Sequence, residues 1–371
     1  MAGRVKFRFP AIRPLFPPPS AWVPYFQRSY SERWFSNFGP VASQFETALT
    51  EKFCHGNEII TCANSATSGI AAALVALDVQ GSVVVPAYTF PATAAAVLMA
   101  GAEPAIIDVE LDTWVPSLDR LEQVVSSQKI AAIVLVSPFG IRQDFSRHLS
   151  ACLERQIPVV IDSAAGLGPR TAPLPDEGCF EVYSLHATKA FPIGEGGAIR
   201  SQAEQKTAVR RALNFGLEAG TAVPGCWGIN GKLPEVSAAV GLAVLSEFDA
   251  VVQHRQAIAA RYIDCLREYP RLVFPTHPER SPWQIFPVLL PTAGAAEGFR
   301  RRAGTRGLQI RWSYKPTLDN WPRTRRTAAC RNAQSLAERM VTLPVYSDMT
   351  EDELSEILDI VRASLDHSLS A

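Results

Sequence analysis

The sequence predicts an α/β protein with a large, mostly parallel sheet, followed by a small α+β domain. In the first part of the chain, short apolar runs such as Val83–Val85 and Val159–Ile161 alternate with segments of helical periodicity. This alternation is typical of βαβ units, which build parallel sheets. After Asn230 the pattern changes to one long helical segment, from about Pro234 to Tyr262, and then to a mixed region. We therefore expect a long helix to connect the two parts.

The same patterns predict the elements in order. Runs rich in β-branched residues predict strands, and apolar residues spaced three to four apart predict helices. The predicted strands are Val83–Val85, Ala105–Ile107, Ile130–Val136, Val159–Ile161, Val182–Leu185, Gly197–Arg200, Gln284–Leu289 and Leu308–Trp312. The predicted helices begin at residue 41 and at the cluster 64–69 (the latter running through Leu77), and cover Ala92–Ala100, Phe145–Glu154, Pro234–Tyr262, Phe299–Arg306 and Glu351–Leu365.

The first forty residues are rich in proline and aromatic residues. We expect them to run in extended form over a surface or a partner subunit, because prolines disfavour regular structure. The predicted organisation is an N-terminal extended segment (1–40), a large α/β domain (41–235), and a connecting helix with the small domain (236–371).

Composition excludes several classes of protein. Lys+Arg and Asp+Glu both number 36, so the net charge is zero and a general affinity for nucleic acid or anionic membrane is not expected. The uncharged stretch 79–102 contains Pro86 and Pro91 and is interpreted as a buried strand and helix, not a membrane span. The seven cysteines form no CxxC pair. We expect reduced thiols, no metal site and a cytoplasmic protein without a secretory signal.

Polar groups follow several predicted strands, where ligands bind in parallel sheets. Asp162 comes directly after an apolar strand, and it is either a capping or ion-pairing acid or a carboxylate for a protonated ring nitrogen. The small residues at 66–69 open a helix. They are compatible with phosphate binding at the helix N-terminus or with simple capping.

Lys189 is the third candidate. It follows the strand that ends near Ser184, lies among apolar residues, and precedes the glycine-rich turn 194–197. Desolvation would lower its pKa and make it a nucleophilic amine, whereas an ordinary lysine is a solvated surface group. His186 is either a packing residue or a proton-transfer group. The aromatics at 88 and 90 either belong to the core or stack on a planar ring.

These groups together are what pyridoxal 5′-phosphate requires. A small-residue turn would hold the phosphate, an aromatic ring would stack on the pyridine, an acid would keep the ring nitrogen protonated, and a lysine would bond to the aldehyde.

At this point the chain resembles the DegT/DnrJ/EryC1/StrS family of sugar aminotransferases, over nearly its whole length. The matching segments are 37–40 with 45–46, 64–67, 86–93, Asp162, 184–189 with 194–197, 228–230 with Glu235, and 343–344. The resemblance implies the fold-type I architecture of pyridoxal-phosphate enzymes, with a seven-stranded sheet in the large domain. It implies that Ala66, Thr67, Phe90, Asp162, Ser184, Lys189 and Asn230 bind the cofactor, Asn230 that of the partner subunit in a homodimer. Lys189, Asp162 and His186 are the implied catalytic residues.

The sequence departs from the family pattern at four places. Ala66 replaces the glycine of the phosphate turn, Ala165 replaces a glutamine or histidine three residues after the acid, and Lys232 replaces an arginine after Asn230. The family's His-Gly motif further along the large domain is Asn214-Phe215-Gly216 here. These changes bear on substrate and catalytic detail. Substrate selection is expected in the small domain, among Trp283, Arg311, Trp312, Tyr314 and Lys315; for the tryptophans the alternative is core packing, which is the favoured interpretation.

The resemblance implies transamination through the pyridoxamine phosphate form. An amino acid, most often glutamate in this family, would donate the amino group to a keto group of a nucleotide-linked sugar, in polysaccharide or secondary-metabolite biosynthesis. The alternatives are a non-sugar acceptor, such as an amino-cyclitol precursor, and a non-enzymatic regulatory protein. Lys189 argues against the dehydratases of the family, in which histidine replaces the lysine, and together with Asp162 against a regulatory role.

Overall fold

The computed structural model describes residues 7–168, 172–175, 178–218 and 225–369. The strands are β1 (Glu58–Ala63), β2 (Ser82–Pro86), β3 (Glu103–Ile107), β4 (Ala132–Val136), β5 (Val159–Asp162), β6 (Cys179–Ser184), β7 (Gly197–Gln202), β8 (Ile285–Leu289), β9 (Arg325–Arg326) and β10 (Met340–Pro344). The helices are α1 (Pro19–Glu32), α2 (Pro40–Phe53), α3 (Ala66–Ala76), α4 (Pro91–Met99), α5 (Leu118–Ser127), α6 (Ser146–Leu153), α7 (Lys206–Leu213), α8 (Glu235–Leu266), α9 (Ala293–Thr305), α10 (Arg331–Arg339) and α11 (Glu351–Leu369).

The large sheet has the strand order β1-β7-β6-β5-β4-β2-β3-β9. Strands β2 to β6 and β9 pair in parallel, and β7 is antiparallel to both of its neighbours. The prediction of an α/β fold with a mostly parallel sheet is confirmed. Seven strands come from the N-terminal part of the chain, as predicted, and the C-terminal part adds the two-residue strand β9 at the edge.

Helices cover both faces of this sheet. Alternate residues of β5 show this, since Val160 joins one apolar cluster while Val159 and Ile161 join another. Strands buried on both faces consist of continuous apolar runs, which is why they were predictable from the sequence. A second, two-stranded antiparallel sheet pairs β8 with β10. The long helix α8 connects the region of the large sheet to this second sheet.

The N-terminal segment differs from the prediction, because residues Pro19–Glu32 form helix α1 and not an extended strap. Proline is allowed in the first helical turn, where its missing N–H has no partner to lose. Trp22, Tyr25 and Phe26 recur at helical spacing and pack against the cluster that contains α8. The gain from burying this aromatic face outweighs the proline inside the helix.

Glu235, the first residue of α8, connects the N-terminal helices to the rest of the fold. Its carboxylate accepts hydrogen bonds from the hydroxyl of Ser29 at 2.8 Å and from the backbone N–H groups of Val41 at 2.7 Å and Ala42 at 3.1 Å. These N–H groups belong to the first turn of α2, which lacks intrahelical acceptors. Glu235, which the family resemblance includes, therefore caps α2 and fixes α1. The domain boundaries predicted at 40 and 235 stay predictions.

The predicted strand Leu308–Trp312 is wrong. Only Leu308 forms a bridge, in parallel with Phe9, and the following residues form an irregular segment. The pairing does not extend because the side chain of Gln309 bonds to the N–H of Ala11, and Arg311 and Trp312 are exposed.

Candidate active site

The predicted polar groups meet at the carboxyl ends of neighbouring parallel strands. Asp162 is the last residue of β5, and it lies in register with Val182 of the adjacent strand β6. Ser184 ends β6, and the segment to Lys189 continues from it. The sheet topology thus brings Asp162 and Lys189 close enough for their charges to influence each other.

Asp162 is buried, with 5% of its surface exposed, and is held by two neutral donors. Its Oδ2 accepts from the hydroxyl of Thr93 at 2.7 Å, and its Oδ1 accepts from the N–H of Ala164 at 3.1 Å. Thr93 in turn lies 3.0 Å from the hydroxyl of Thr89. Burial raises the pKa of Asp162, while Thr93, Ala164 and Lys189 lower it. The carboxylate is oriented but not neutralised by a hydrogen-bonded cation.

The amine of Lys189 lies in a desolvated position. Burial lowers the pKa of Lys189 to about 8, and the charge of Asp162 opposes this change. Nζ donates a hydrogen bond of 2.8 Å to Oε1 of Gln284, a residue directly before β8. Phe191 and Ile193, which follow the lysine, are buried. The predicted apolar surroundings of the lysine are therefore present.

His186 is bonded within its own loop. Its Nδ1 lies 2.8 Å from the hydroxyl of Thr188 and accepts from the backbone N–H of Thr188 at 3.2 Å. Its Nε2 lies 3.4 Å from a carboxylate oxygen of Glu195. Both ring nitrogens thus have partners in the loop between β6 and β7, residues 185–196, which we call the lysine loop. These contacts favour the packing alternative for His186 over proton transfer.

The N-terminus of α3 forms the predicted turn. The Ser65 side chain caps the helix by accepting from the N–H of Ser68 at 3.1 Å, which places Ala66 and Thr67 in the first turn. A Cβ atom on Gly197 would lie 2.5 Å from the carbonyl carbon of Ser65. Position 197 therefore requires glycine, because the start of β7 approaches this turn closely.

The two aromatics after β2 have different environments. Tyr88 is fully buried, and its ring lies 5.0 Å from that of Tyr314 and 6.3 Å from that of Phe139. Phe90 is 64% exposed. Of the predicted pair, Phe90 has an exposed ring surface, whereas Tyr88 belongs to an aromatic cluster.

Asn230 lies apart from the lysine and the acid. Its backbone carbonyl accepts from the side chain of Asn64 at 3.0 Å, and its Oδ1 accepts from Nζ of Lys232 at 2.7 Å. Asn230 itself is exposed and lies in the segment that precedes α8.

Sequence reasoning missed Gln284 as a site residue and gave Thr93 no role in the site. Gln284 is 95 residues from Lys189 along the chain, and no local pattern marks it. Of the residues expected to select the substrate, Trp283 is completely buried and belongs to the core, whereas Trp312 is 41% exposed.

The site fits pyridoxal phosphate, as the burial and hydrogen bonds show. The amine of Lys189 is desolvated, and the buried carboxylate of Asp162 has only neutral hydrogen-bond donors, so it can face a protonated ring nitrogen. The exposed ring of Phe90 can lie against a planar group. Among the described parts of the chain, no group of three or more His, Cys, Asp or Glu residues is arranged to hold a metal ion. Within the same ranges, no helix has the length and apolarity needed to cross a membrane.

Comparison with known proteins gives the family. The sequence profile of the DegT/DnrJ/EryC1/StrS aminotransferase family matches residues 21–362. Protein Rv3402c of Mycobacterium tuberculosis is 29% identical over 96% of this chain and 90% of its own length. The dTDP-4-amino-4,6-dideoxy-D-glucose transaminase of Shigella dysenteriae is 27% identical, over 94% of this chain and 97% of its own.

A solved structure shares the fold. The crystal structure of a protein from Bacillus cereus described as a PLP-dependent aminotransferase superposes with a TM-score of 0.87 at 24% identity, covering 95% of this chain and 99% of that one. Because the family profile spans most of the sequence and the site fits the cofactor, the chain belongs to the DegT/DnrJ/EryC1/StrS aminotransferase family and is a pyridoxal-phosphate-dependent aminotransferase.

Proposed function

We propose that the protein transfers an amino group from an amino acid, glutamate in the first instance, to a keto group of a nucleotide-linked sugar. The observation that carries this proposal is the pair formed by the desolvated amine of Lys189 and the buried carboxylate of Asp162 at neighbouring strand ends. Bound pyridoxal phosphate supplies an aldehyde for covalent attachment of an amine and a protonated ring that withdraws electrons.

Lys189 would supply both the amine that attaches to the cofactor and the base for proton transfer. With a pKa of about 8, roughly a tenth of its amine is neutral at pH 7 and able to act as a nucleophile, far more than for an ordinary lysine. With the cofactor bound, Nζ of Lys189 would be the base that moves a proton between two carbon atoms. Thr93 and Ala164 orient the carboxylate of Asp162, which would face the ring nitrogen of the bound cofactor.

The remaining site residues bind and orient. The first turn of α3, with Ala66 and Thr67, offers backbone N–H groups to the phosphate. The hydroxyl of Ser184 accepts from the N–H of His186 at 3.2 Å, so its own proton is available to the phosphate. Phe90 would lie against the ring of the bound cofactor, and His186 would position the lysine loop through Thr188.

Two observations bear on the acceptor. The Shigella dysenteriae relative is named a transaminase of a dTDP-linked sugar, which supports a nucleotide-sugar acceptor in the same class. Ala165 supports the alternative of a cyclitol or other natural-product acceptor, because its methyl group cannot hydrogen-bond where the family places glutamine or histidine. The backbone carbonyl of Ala165 packs closely on Gly140. A Cβ atom added to Gly140 would lie 2.1 Å from that carbonyl oxygen.

A panel of acceptors decides between these. The enzyme is supplied with glutamate and, separately, keto-sugar nucleotides and keto-cyclitols, and amination is scored by mass spectrometry. We expect product only with the nucleotide sugars. Amination of cyclitols alone would move the function to the alternative. Borohydride reduction of the enzyme, followed by peptide mapping, is expected to place the cofactor on Lys189 and on no other lysine.

We also propose a homodimer with shared sites. Tyr30, Trp34 and Phe35, at and after the end of α1, are 72%, 47% and 48% exposed, and Trp227 is 94% exposed. Exposed aromatic surface of this extent is typical of an interface. Asn230, next to Trp227, would reach the cofactor phosphate of the partner subunit.

Mixing two inactive variants tests the shared site. Under two-fold symmetry, a mixed dimer of Lys189→Ala and Asn230→Asp contains one site with both changes and one with neither. We expect activity to return partly after subunit exchange. A mixture that stays inactive although subunits have exchanged, or an active monomer in sedimentation, contradicts the proposal.

A further inference from the structure

Gln284 brings the C-terminal part of the chain into contact with the reactive amine. Its Oε1 accepts from Nζ of Lys189 at 2.8 Å, and its Nε2 donates to Oγ1 of Thr188 at 3.2 Å. The side-chain amide therefore bonds to two consecutive residues of the lysine loop, one through each of its polar atoms.

The directions of these hydrogen bonds are fixed by the neighbouring groups. The backbone N–H of Thr188 can only donate, so Nδ1 of His186 is an acceptor and the ring proton lies on Nε2, facing Glu195. The hydroxyl of Thr188 then donates to Nδ1 and accepts from the NH₂ group of Gln284. The carbonyl oxygen of Gln284 is left to face the amine of Lys189.

Gln284 is held firmly. It follows Trp283, which is completely buried, and the carbonyl of Trp283 accepts from Nη1 of Arg255 in α8 at 2.7 Å. The N–H of Trp283 donates to the hydroxyl of Ser281 at 3.0 Å. The amide thus has a fixed origin in the C-terminal part of the chain, and it is not a mobile surface group.

We propose that Gln284 is a positioning residue that holds the amine of Lys189 whenever this amine is not bonded to the cofactor. Its carbonyl gives Nζ a fixed acceptor, so the released amine stays within the site and keeps its orientation. This inference rests on the proposed role of Lys189.

The carbonyl also favours the protonated amine, because an ammonium donates a stronger hydrogen bond than a neutral amine. The charged group that acts on Lys189 is Asp162, which favours protonation as well, while burial opposes it. At the far end of the hydrogen-bonded chain, His186 faces Glu195. Changing the acceptor at 284 should therefore shift the pKa of Lys189 in a direction set by the new side chain.

Competitive acetylation measures this pKa without using activity. The full-length chain, freed of cofactor with hydroxylamine, is labelled with limiting acetic anhydride at a series of pH values. The extent of acetylation at Lys189 is quantified by peptide mass spectrometry, relative to the exposed residue Lys129. The proteins compared are wild type, Gln284→Leu, Gln284→Glu, and the control Gln309→Leu, whose side chain bonds instead to the N–H of Ala11.

We expect opposite changes at neutral pH. Gln284→Leu removes the acceptor, lowers the pKa of Lys189 and increases its acetylation about threefold, whereas Gln284→Glu adds a negative charge, raises the pKa and decreases acetylation about tenfold. Gln309→Leu should match wild type. Equal acetylation in all proteins, or a change of the same sign in both Gln284 variants, overturns the inference.

Two outcomes are kept apart by a separate measurement. If borohydride reduction attaches the cofactor to Lys189 in every variant but acetylation is unchanged, the proposed function stands and the role of Gln284 is refuted. If the cofactor is not attached to Lys189 in wild type, the proposed function itself fails. Gln284→Glu is nearly isosteric, so its result decides if Gln284→Leu does not fold.

Discussion

Arg200 and Lys189 are both cations with carboxylates nearby, yet their surroundings are built in opposite ways. Arg200, in β7, is completely buried and forms ion pairs with Glu58 at 2.6 Å and Glu181 at 3.0 Å. Burial alone would lower the pKa of Arg200, but Tyr183, Glu181 and Glu58 together raise it above its ordinary value. Its charge is permanent.

At the candidate active site, neither Lys189 nor Asp162 is hydrogen-bonded to a group of opposite charge among the described residues. Lys189 bonds to the neutral carbonyl of Gln284, and Asp162 bonds to the neutral groups of Thr93 and Ala164. Burial consequently lowers the pKa of Lys189 to about 8 and raises that of Asp162. Complete pairing thus makes a buried ion structural, whereas neutral hydrogen-bond partners leave it able to change its protonation state.

The largest effect is expected for Asp162→Asn. The fold should be retained, because the amide oxygen can accept from the N–H of Ala164 while the hydroxyl of Thr93 turns to accept from the new NH₂ group. A ring nitrogen, however, would lose its charge partner. We expect turnover to fall by roughly 10³-fold or more, about 4 kcal/mol in activation free energy. Steady-state kinetics and urea unfolding of the same samples measure both quantities. Near-normal turnover would remove Asp162 from the site.

Arg200→Met should affect stability instead. It leaves Glu58 and Glu181 buried without their cation, which costs about 3–5 kcal/mol of unfolding free energy. The control Lys52→Met breaks an ion pair with the mostly exposed Asp249 and should cost about 1 kcal/mol or less. Urea unfolding of both variants provides the test. An equally small loss of unfolding free energy in both variants would show that the ion pairs of Arg200 do not stabilise the fold.

The pH dependence of stability should reveal Lys189. The unfolded chain holds this proton up to about pH 10.4, but the folded chain only up to about pH 8. Between these values the unfolded state binds more protons, so stability rises with pH. Relative to Lys189→Met, the cofactor-free wild type should gain about 3 kcal/mol over this interval, since a pKa difference of one corresponds to roughly 1.4 kcal/mol. Parallel pH dependences for the two proteins would contradict the lowered pKa.

The smallest effect is expected for Thr93→Val, which keeps the shape of the side chain but removes the donor to Asp162. Losing this hydrogen bond should reduce turnover ten- to hundredfold, about 1–3 kcal/mol. Thr61→Val is the matched control, because Thr61 is equally buried and its hydroxyl has no hydrogen-bond partner among the described residues. Equal kinetics for the two variants would show that Thr93 does not orient the acid.

The parts that were predictable from the sequence are those with local causes. Asp162 and Lys189 follow β-rich runs, and the ends of parallel strands meet at one edge, so their proximity could be expected. Gln284, directly before β8, reaches Lys189 and Thr188 although they are 95 and 96 residues away along the chain, and no local pattern encodes that contact. The helix α1 was missed because its prolines outweighed the periodic spacing of Trp22, Tyr25 and Phe26 in the prediction.

The capping of α2 by Glu235 has a consequence for synthesis of the chain on the ribosome. The acceptor for the N–H groups of Val41 and Ala42 lies 194 and 193 residues downstream. Helices α1 and α2 are made early, but their ends gain this partner only after residue 235 has left the exit tunnel. Until then, their aromatic face lacks α8 as a packing surface. We expect added protease to cut nascent chains in this region until residue 235 has left the exit tunnel. The N-terminal region is therefore expected to bind chaperones early in synthesis.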